Sequence, residues 1–423
     1  VTDTVCSALP ASDKPRFLPA ALWAVALVFL ISIISARPIT FSPGVAGLIG
    51  LAVIAVQNRG ALLTGISRQF AGLIAFLVAV LAVEAYSLLW RVSEDGQSLS
   101  DVAKIGGLFF SGLVFMYLMK IVPLEKNRLG WLAVIGGVFG IALMAEQAMH
   151  FPLFKMSKDL LPSDEVNPSE LNKRAAIFFL TAPALLVFAR QWKDWPRYRG
   201  MAYAICLAPL LLLAGSTESQ AAQLALPTML LLWVVSRYLP KTCLIAVFIG
   251  VTFYLFAAPF VFPYAYQYVL TLVPEGQTDV WQAASVVPRL ELWAFVGETI
   301  QQRWLTGYGI DCARFIPRDH WDWTYFTNIL IYHPHNAVLQ IWLETGIAGV
   351  MLAFLGLTGL FRTLWRIPVE GQRLALTVIT GTMLFAIVSW GLWQAWWVGA
   401  LFFINGLTLL AVRVLTQKDA AEI

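Results

Sequence analysis

Long apolar runs separated by short polar breaks dominate the chain. A membrane-spanning helix needs about 20 mostly apolar residues. Twelve runs approach that length: 17–35, 41–57, 69–90, 102–120, 130–149, 175–190, 200–216, 221–237, 242–263, 336–360, 374–391 and 394–413. The pairs 200–216/221–237 and 374–391/394–413 each read either as a tight hairpin or as one broken segment. Two breaks are long, 150–174 and 264–335, and only the second has room for a small subdomain. The pattern predicts an all-α polytopic membrane protein of about 12 transmembrane helices in three parts. Residues 1–263 carry helices one to nine, 264–335 form a partly helical outer loop, and 336–423 hold the last three helices and a tail.

Composition agrees with the pattern. Of 423 residues, 59% are hydrophobic and 13% charged, against about 45–50% and about 25% in soluble domains. A soluble chain has no place to hide that much apolar surface, so disordered, fibrous, disulfide-framework and nucleic-acid-binding classes are excluded. The net charge of +4 says little; its distribution says more. Most of the 29 Lys and Arg residues fall in the short, acid-poor loops of one face, among them Arg59, Lys126, Arg197, Lys241, Arg366 and Arg413. The positive-inside rule makes that face cytoplasmic, together with both termini. The first apolar run is too long for a cleavable signal and reads as a retained helix. The four cysteines, Cys6, Cys206, Cys243 and Cys312, match no zinc or disulfide spacing. A P-loop and a dinucleotide fingerprint are both missing from the sequence.

The long outer loops hold the candidate chemistry. All four histidines, His150, His320, His333 and His335, lie on the outer side. Loop 264–335 is rich in aromatics, including Tyr266, Trp293, Tyr308, Trp321 and Trp323. They read as an interfacial belt, as a platform for stacking sugar rings, or as both. Pro288 suits the first turn of a helix, and a helix-like stretch runs from Arg289 to Glu298. Free amides and a guanidinium fork at such a terminus make a diphosphate clamp; pairing of Arg289 with Glu291 is the alternative. Gly307-Tyr308-Gly309 permits a tight turn. His333-Pro334-His335-Asn336 closes the loop. Three roles are open for these histidines: general base, metal ligand with His320 and Asp319 or Asp322, or plain helix cap. Glu84, Glu146, Glu218 and Glu344 lie at or near membrane depth, where ionisable groups are costly. Asn172-Lys173-Arg174 and Ser216-Thr217-Glu218-Ser219-Gln220 open to the same outer face. The chain shows no inverted repeat, and its polar detail gathers at the outer surface, which favours an enzyme over a transporter.

This ordered set resembles the O-antigen ligase/polymerase superfamily of bacterial membrane glycosyltransferases. The motifs that carry the resemblance are Arg289…Trp293, Gly307-Tyr308-Gly309, His333-Pro334-His335-Asn336, Glu344-Thr345-Gly346 and Asn172-Lys173-Arg174. The resemblance implies a GT-C-like enzyme of the bacterial inner membrane with a periplasmic active site. It implies transfer of O-antigen from undecaprenyl diphosphate to lipid A-core in lipopolysaccharide biosynthesis, by metal-independent inverting transfer without a cofactor. Membrane lipids and other lipopolysaccharide assembly proteins are the further expected partners, and nucleic acid is not one. The alternatives are an O-antigen polymerase, a protein O-oligosaccharyltransferase and, in a different class, a lipid-linked glycan flippase. Catalysis is expected from His335 and Arg289. Substrate contacts are expected from Arg174, Asn172, Arg314, His333, Asn336, Trp293, Tyr308, Ser219 and Gln220. The family often has Ser-Arg where this chain has Ser219-Gln220, so Arg174, Arg289 or Arg314 must take over that arginine's role.

Overall fold

The computed structural model describes residues 20–35, 39, 59–92, 99–158, 160–161, 166, 169–192, 196–216, 219–272, 286–318, 321–326 and 333–419. The described elements are thirteen α-helices and two short 3-10 turns. In chain order the helices are α1 (Ala20–Ser32), α2 (Arg59–Ser87), α3 (Leu99–Ile121), α4 (Lys126–Ala148), α5 (Pro152–Met156), α6 (Ser169–Ala189), α7 (Pro196–Ser216), α8 (Gln220–Val235), α9 (Pro240–Leu270), α10 (Val286–Gln302), α11 (Ala337–Arg366), α12 (Val369–Val388) and α13 (Ala395–Asp419). Helices satisfy their own backbone groups, which is the requirement for crossing lipid.

Among the described residues, eight helices are long and apolar enough to cross a membrane: α2, α3, α4, α6, α9, α11, α12 and α13. The chain is therefore an all-α polytopic membrane protein. The expected spans at 17–35 and 221–237 correspond to shorter helices, α1 with 13 residues and α8 with 16. The expected 200–216 span corresponds to α7, which is not among these eight. The 41–57 span lies outside the described residues. Both close pairs resolve into two separate helices. Ser219 caps α8, its hydroxyl accepting from Ala222 N–H at 3.3 Å. The segment 389–394 separates α12 from α13.

The largest apolar core joins α1, α3, α4, α6, α7, α8, α12 and α13; Phe178, Phe179 and Phe188 of α6 are fully buried within it. Small residues let helices approach closely: a Cβ on Gly140 of α4 would stand 2.6 Å from the Phe178 ring. The second core joins α9, α10 and α11 through Leu255, Leu292, Phe295, Leu339 and Leu343. The amphipathic α10 thus packs on spanning helices, and α9 runs past residue 263 to Leu270. The half-buried rings of Trp321 and Trp323 stand 6.0 Å apart, 5.7 and 5.0 Å from Phe295. They extend this core.

Candidate active site

The Arg289-x-x-x-Trp293 spacing is one helical turn, so both side chains share a face of α10. The Trp293 indole N–H donates to the Pro334 carbonyl at 2.9 Å. It ties α10 to the His-Pro-His turn. On the same face, Arg289 Nη1 donates to Gln220 Oε1 at 2.7 Å, at the first residue of α8. Glu291, two residues on, faces the other way. Its carboxylate accepts from Tyr266 Oη at 2.9 Å and from the backbone N–H groups of Thr324, Tyr325 and Phe326 at 2.7, 2.8 and 2.5 Å. The acid that the sequence offered as partner for Arg289 is committed to the 324–326 loop.

His335 adopts a left-handed backbone with φ 53°, an uncommon conformation for a residue with a side chain. Its Nδ1 stands 2.6 Å from the Ser389 carbonyl oxygen. A carbonyl only accepts, so in the neutral ring Nδ1 carries the proton and Nε2 keeps its lone pair. Burial lowers the basicity of His335; the Ser389 carbonyl raises it in part, and the nearby Arg289 charge lowers it further. His333 packs 4.2 Å from His335, centroid to centroid. Its pKa is pushed down to about 3, by burial first and by His335 second. Both rings are neutral near pH 7. His333 Nδ1 accepts from His335 N–H at 3.2 Å, and its Nε2 lies 3.0 Å from the Gln394 side-chain nitrogen. Among the described residues, no three of His, Cys, Asp or Glu form a metal-binding group. His320 and Asp319 lie outside the described residues.

The remaining expected site residues separate into two sets. Asn172 is half-buried in the first turn of α6. The neighbouring Lys173 ammonium sits 5.9 Å over the Trp396 ring, and the Trp396 indole N–H donates to Gln394 Oε1 at 2.8 Å. This end of α6 therefore adjoins the histidines through the 389–396 segment. Ser219, at the N-cap of α8, immediately precedes Gln220.

The second set is engaged in holding the fold. Arg174 is fully buried. It donates to the carbonyls of Glu170 and Ile33, at 3.0 and 2.5 Å, capping the end of α1. Arg314 of the one-turn 3-10 helix Cys312–Phe315 pairs with Asp311, which precedes that turn. Asn336 caps α11, accepting from Val338 and Leu339 N–H at 3.1 and 3.2 Å and donating to Tyr254 Oη at 2.6 Å. Tyr308 Oη donates to the Thr299 carbonyl at 3.1 Å. The Gly-Tyr-Gly turn serves α11, which breaks at Gly346 (φ 59°, ψ −151°). The carbonyls of Leu343 and Glu344 accept instead from Tyr308 and Gly309 N–H at 2.7 and 2.9 Å. Gly346 packs so tightly that a Cβ would stand 2.5 Å from Leu305 O.

Sequence reasoning passed over the segment Ser389-Trp-Gly-Leu-Trp-Gln394, which touches both histidines. Its signal was present: a polar, tryptophan-rich interruption between two apolar runs, on the same face as the histidines.

Residues 205–354 match the model of a family described as O-antigen ligase. That stretch contains Gln220, Arg289, the His-Pro-His turn and the α11 break. The chain is 27% identical over 134 residues to a Rickettsia felis protein named "Putative polysaccharide ligase", covering 30% of this chain and 33% of that protein. A Rickettsia prowazekii protein with the same description is 26% identical over 152 residues, covering 34% of this chain and 36% of that protein. The chain thus spans about a third of the length of the curated relatives it matches. These matches agree with the resemblance to the O-antigen ligase superfamily that the motifs carry.

Proposed function

We propose that this protein transfers O-antigen polysaccharide from undecaprenyl diphosphate to a sugar hydroxyl of lipid A-core, at the periplasmic face of the bacterial inner membrane. The observation that carries the reading is a neutral His335 whose Nε2 is left as the basic atom, in a turn tied by Trp293 to the same face of α10 that bears Arg289. The acceptor hydroxyl gives its proton to that nitrogen as its oxygen bonds to the anomeric carbon. The bond from that carbon to the phosphate oxygen breaks, and its electron pair leaves with the diphosphate. Arg289, turned away from Glu291 and oriented by Gln220, holds the developing negative charge through its planar fork. One displacement inverts the anomeric configuration. Lys173 lies near the same segment with its ammonium paired to Glu170 at 2.8 Å, and Arg174 supports the α1 end from inside.

The test is a lipopolysaccharide gel of a deletion strain carrying wild type or His335→Ala. Bare lipid A-core in the deletion strain, with the ladder restored by wild type alone, is the expected result. Core capped with a single repeat unit would make the protein a polymerase. An unchanged ladder would overturn lipopolysaccharide as the product, leaving protein glycosylation or glycan transport.

A further inference from the structure

The segment that touches the two histidines is itself held from beneath by a buried polar pair. Gln340 and Glu344 lie one turn apart on α11, exposed by only 4% and 1%. Gln340 Nε2 donates to Glu344 Oε1 at 2.8 Å. Each then reaches the same short segment between α12 and α13. Gln340 Oε1 accepts from Leu392 N–H at 2.8 Å, and Glu344 Oε2 accepts from the Trp393 indole N–H at 2.7 Å. The other side of that segment is the seat of the histidines. It supplies the Ser389 carbonyl to His335 Nδ1 and the Gln394 amide to His333. Gly391 lies so close beneath His333 that a Cβ there would stand 2.9 Å from its Cγ.

We infer that Gln340 and Glu344 are positioning residues that fix the tautomer and orientation of His335 through the Ser389–Gln394 segment. Two apolar side chains would fill the same space without desolvation cost. What they lack is direction: a carboxylate and an amide, each accepting one N–H of the segment, set its register and therefore where the Ser389 carbonyl points. A carbonyl displaced from Nδ1 leaves the ring free to carry its proton on Nε2, the nitrogen that must be bare. The consequence for rate rests on reading His335 as the base. The consequence for the tautomer does not.

The test uses full-length protein in lipid bilayers with 15N-labelled histidine, read by solid-state NMR. The chain has four histidines, and the His335→Ala spectrum identifies the His335 signals by their loss. Wild type is expected to show a single His335 form protonated at Nδ1. Glu344→Gln leaves one carbonyl oxygen for two donors. Trp393→Phe removes the indole N–H and keeps an aromatic ring. Both are expected to bring up the Nε2-protonated form. Both should lower kcat about tenfold or more while donor KM stays within about twofold. A single unchanged tautomer in both variants overturns the inference. Mixed tautomers with unchanged kcat uphold the positioning and overturn His335 as the base. Thermal unfolding shows whether each variant is folded, and either folded variant suffices for the reading. Loss of the fold in both would make the pair a stability element and overturn the inference.

Discussion

Arg289 donates to Gln220 at 2.7 Å, so the two residues join the first turn of α10 to the first turn of α8. Gln220 occupies the place where the family's pattern suggests an arginine, and here it serves as an acceptor that aims the arginine of α10. Gln220→Ala removes one hydrogen bond that orients the guanidinium. A hydrogen bond to a charged group contributes about 1.5–3 kcal/mol, so kcat/KM for the lipid-linked donor should fall about tenfold or more. Steady-state transfer with purified donor and acceptor measures it, and an unchanged kcat/KM would remove Gln220 from the site.

Arg289→Lys keeps the charge and loses the fork. A point charge on a flexible stem cannot bind two phosphate oxygens in plane. Activity should drop about a hundredfold, in the range seen when a transition-state donor is removed. Normal turnover in this variant would show that the diphosphate is held elsewhere.

The histidines set a sign for the pH dependence. Burial holds His333 at about 3 and His335 below its ordinary value, whereas an unfolded histidine titrates near ~6.5. Between those values the unfolded chain binds more protons than the folded one. The stabilisation is therefore complete above about pH 6.5 and is lost as pH falls toward the folded values. The rate should stay flat from pH 8 to about 6.5 and decline only below it, since the base needs a neutral ring. A pH profile of kcat/KM checks this; an acid limb centred above pH 7 would contradict it.

Glu291 gathers four donors, three of them backbone N–H groups of the 324–326 loop. Glu291→Ala removes the acceptor of all four, of which Tyr266 and Tyr325 are buried. The loss should amount to about 3–5 kcal/mol, seen as a lower unfolding temperature in detergent and as new proteolysis within 321–326. The Glu291 carboxylate is taken up by Tyr266 and the 324–326 loop, whereas Arg289 reaches Gln220, so a folded Glu291→Ala protein should keep its donor KM.

Gly346→Ala tests the break in α11. The residue has φ 59° and ψ −151°, a region open essentially to glycine alone, and its new Cβ would meet Leu305 O at 2.5 Å. A destabilisation of about 2 kcal/mol or more is expected, measured as a fall in the unfolding temperature of the purified protein.

Much of this was legible in the sequence. Apolar runs of spanning length gave the helices, because lipid demands that each one satisfy its own backbone. The i, i+4 spacing of Arg289 and Trp293 already placed both on one face of a helix, and His333-Pro334-His335 stood out as a candidate base. Other residues with equally conspicuous motifs turned out to hold the fold together. Asn336 was legible as polar before an apolar run, which is also what an N-cap looks like. Gly307 and Gly309 were legible as a turn, while their partner, the broken turn of α11 at Gly346, lies far along the chain.

The sequence by itself determined the class of molecule, the approximate placement of its helices and the residue types available for chemistry. These follow from composition and from spacings within one element, where the helix period fixes which side chains are neighbours. Only the tertiary structure decided the pairings. It set Arg289 on Gln220 and away from Glu291, and it turned Arg174 to the end of α1. It also brought Ser389 to His335 across 54 residues of chain. Such contacts depend on how helices pack and on where the bundle breaks, and nothing local in the chain encodes which distant carbonyl a ring nitrogen will meet.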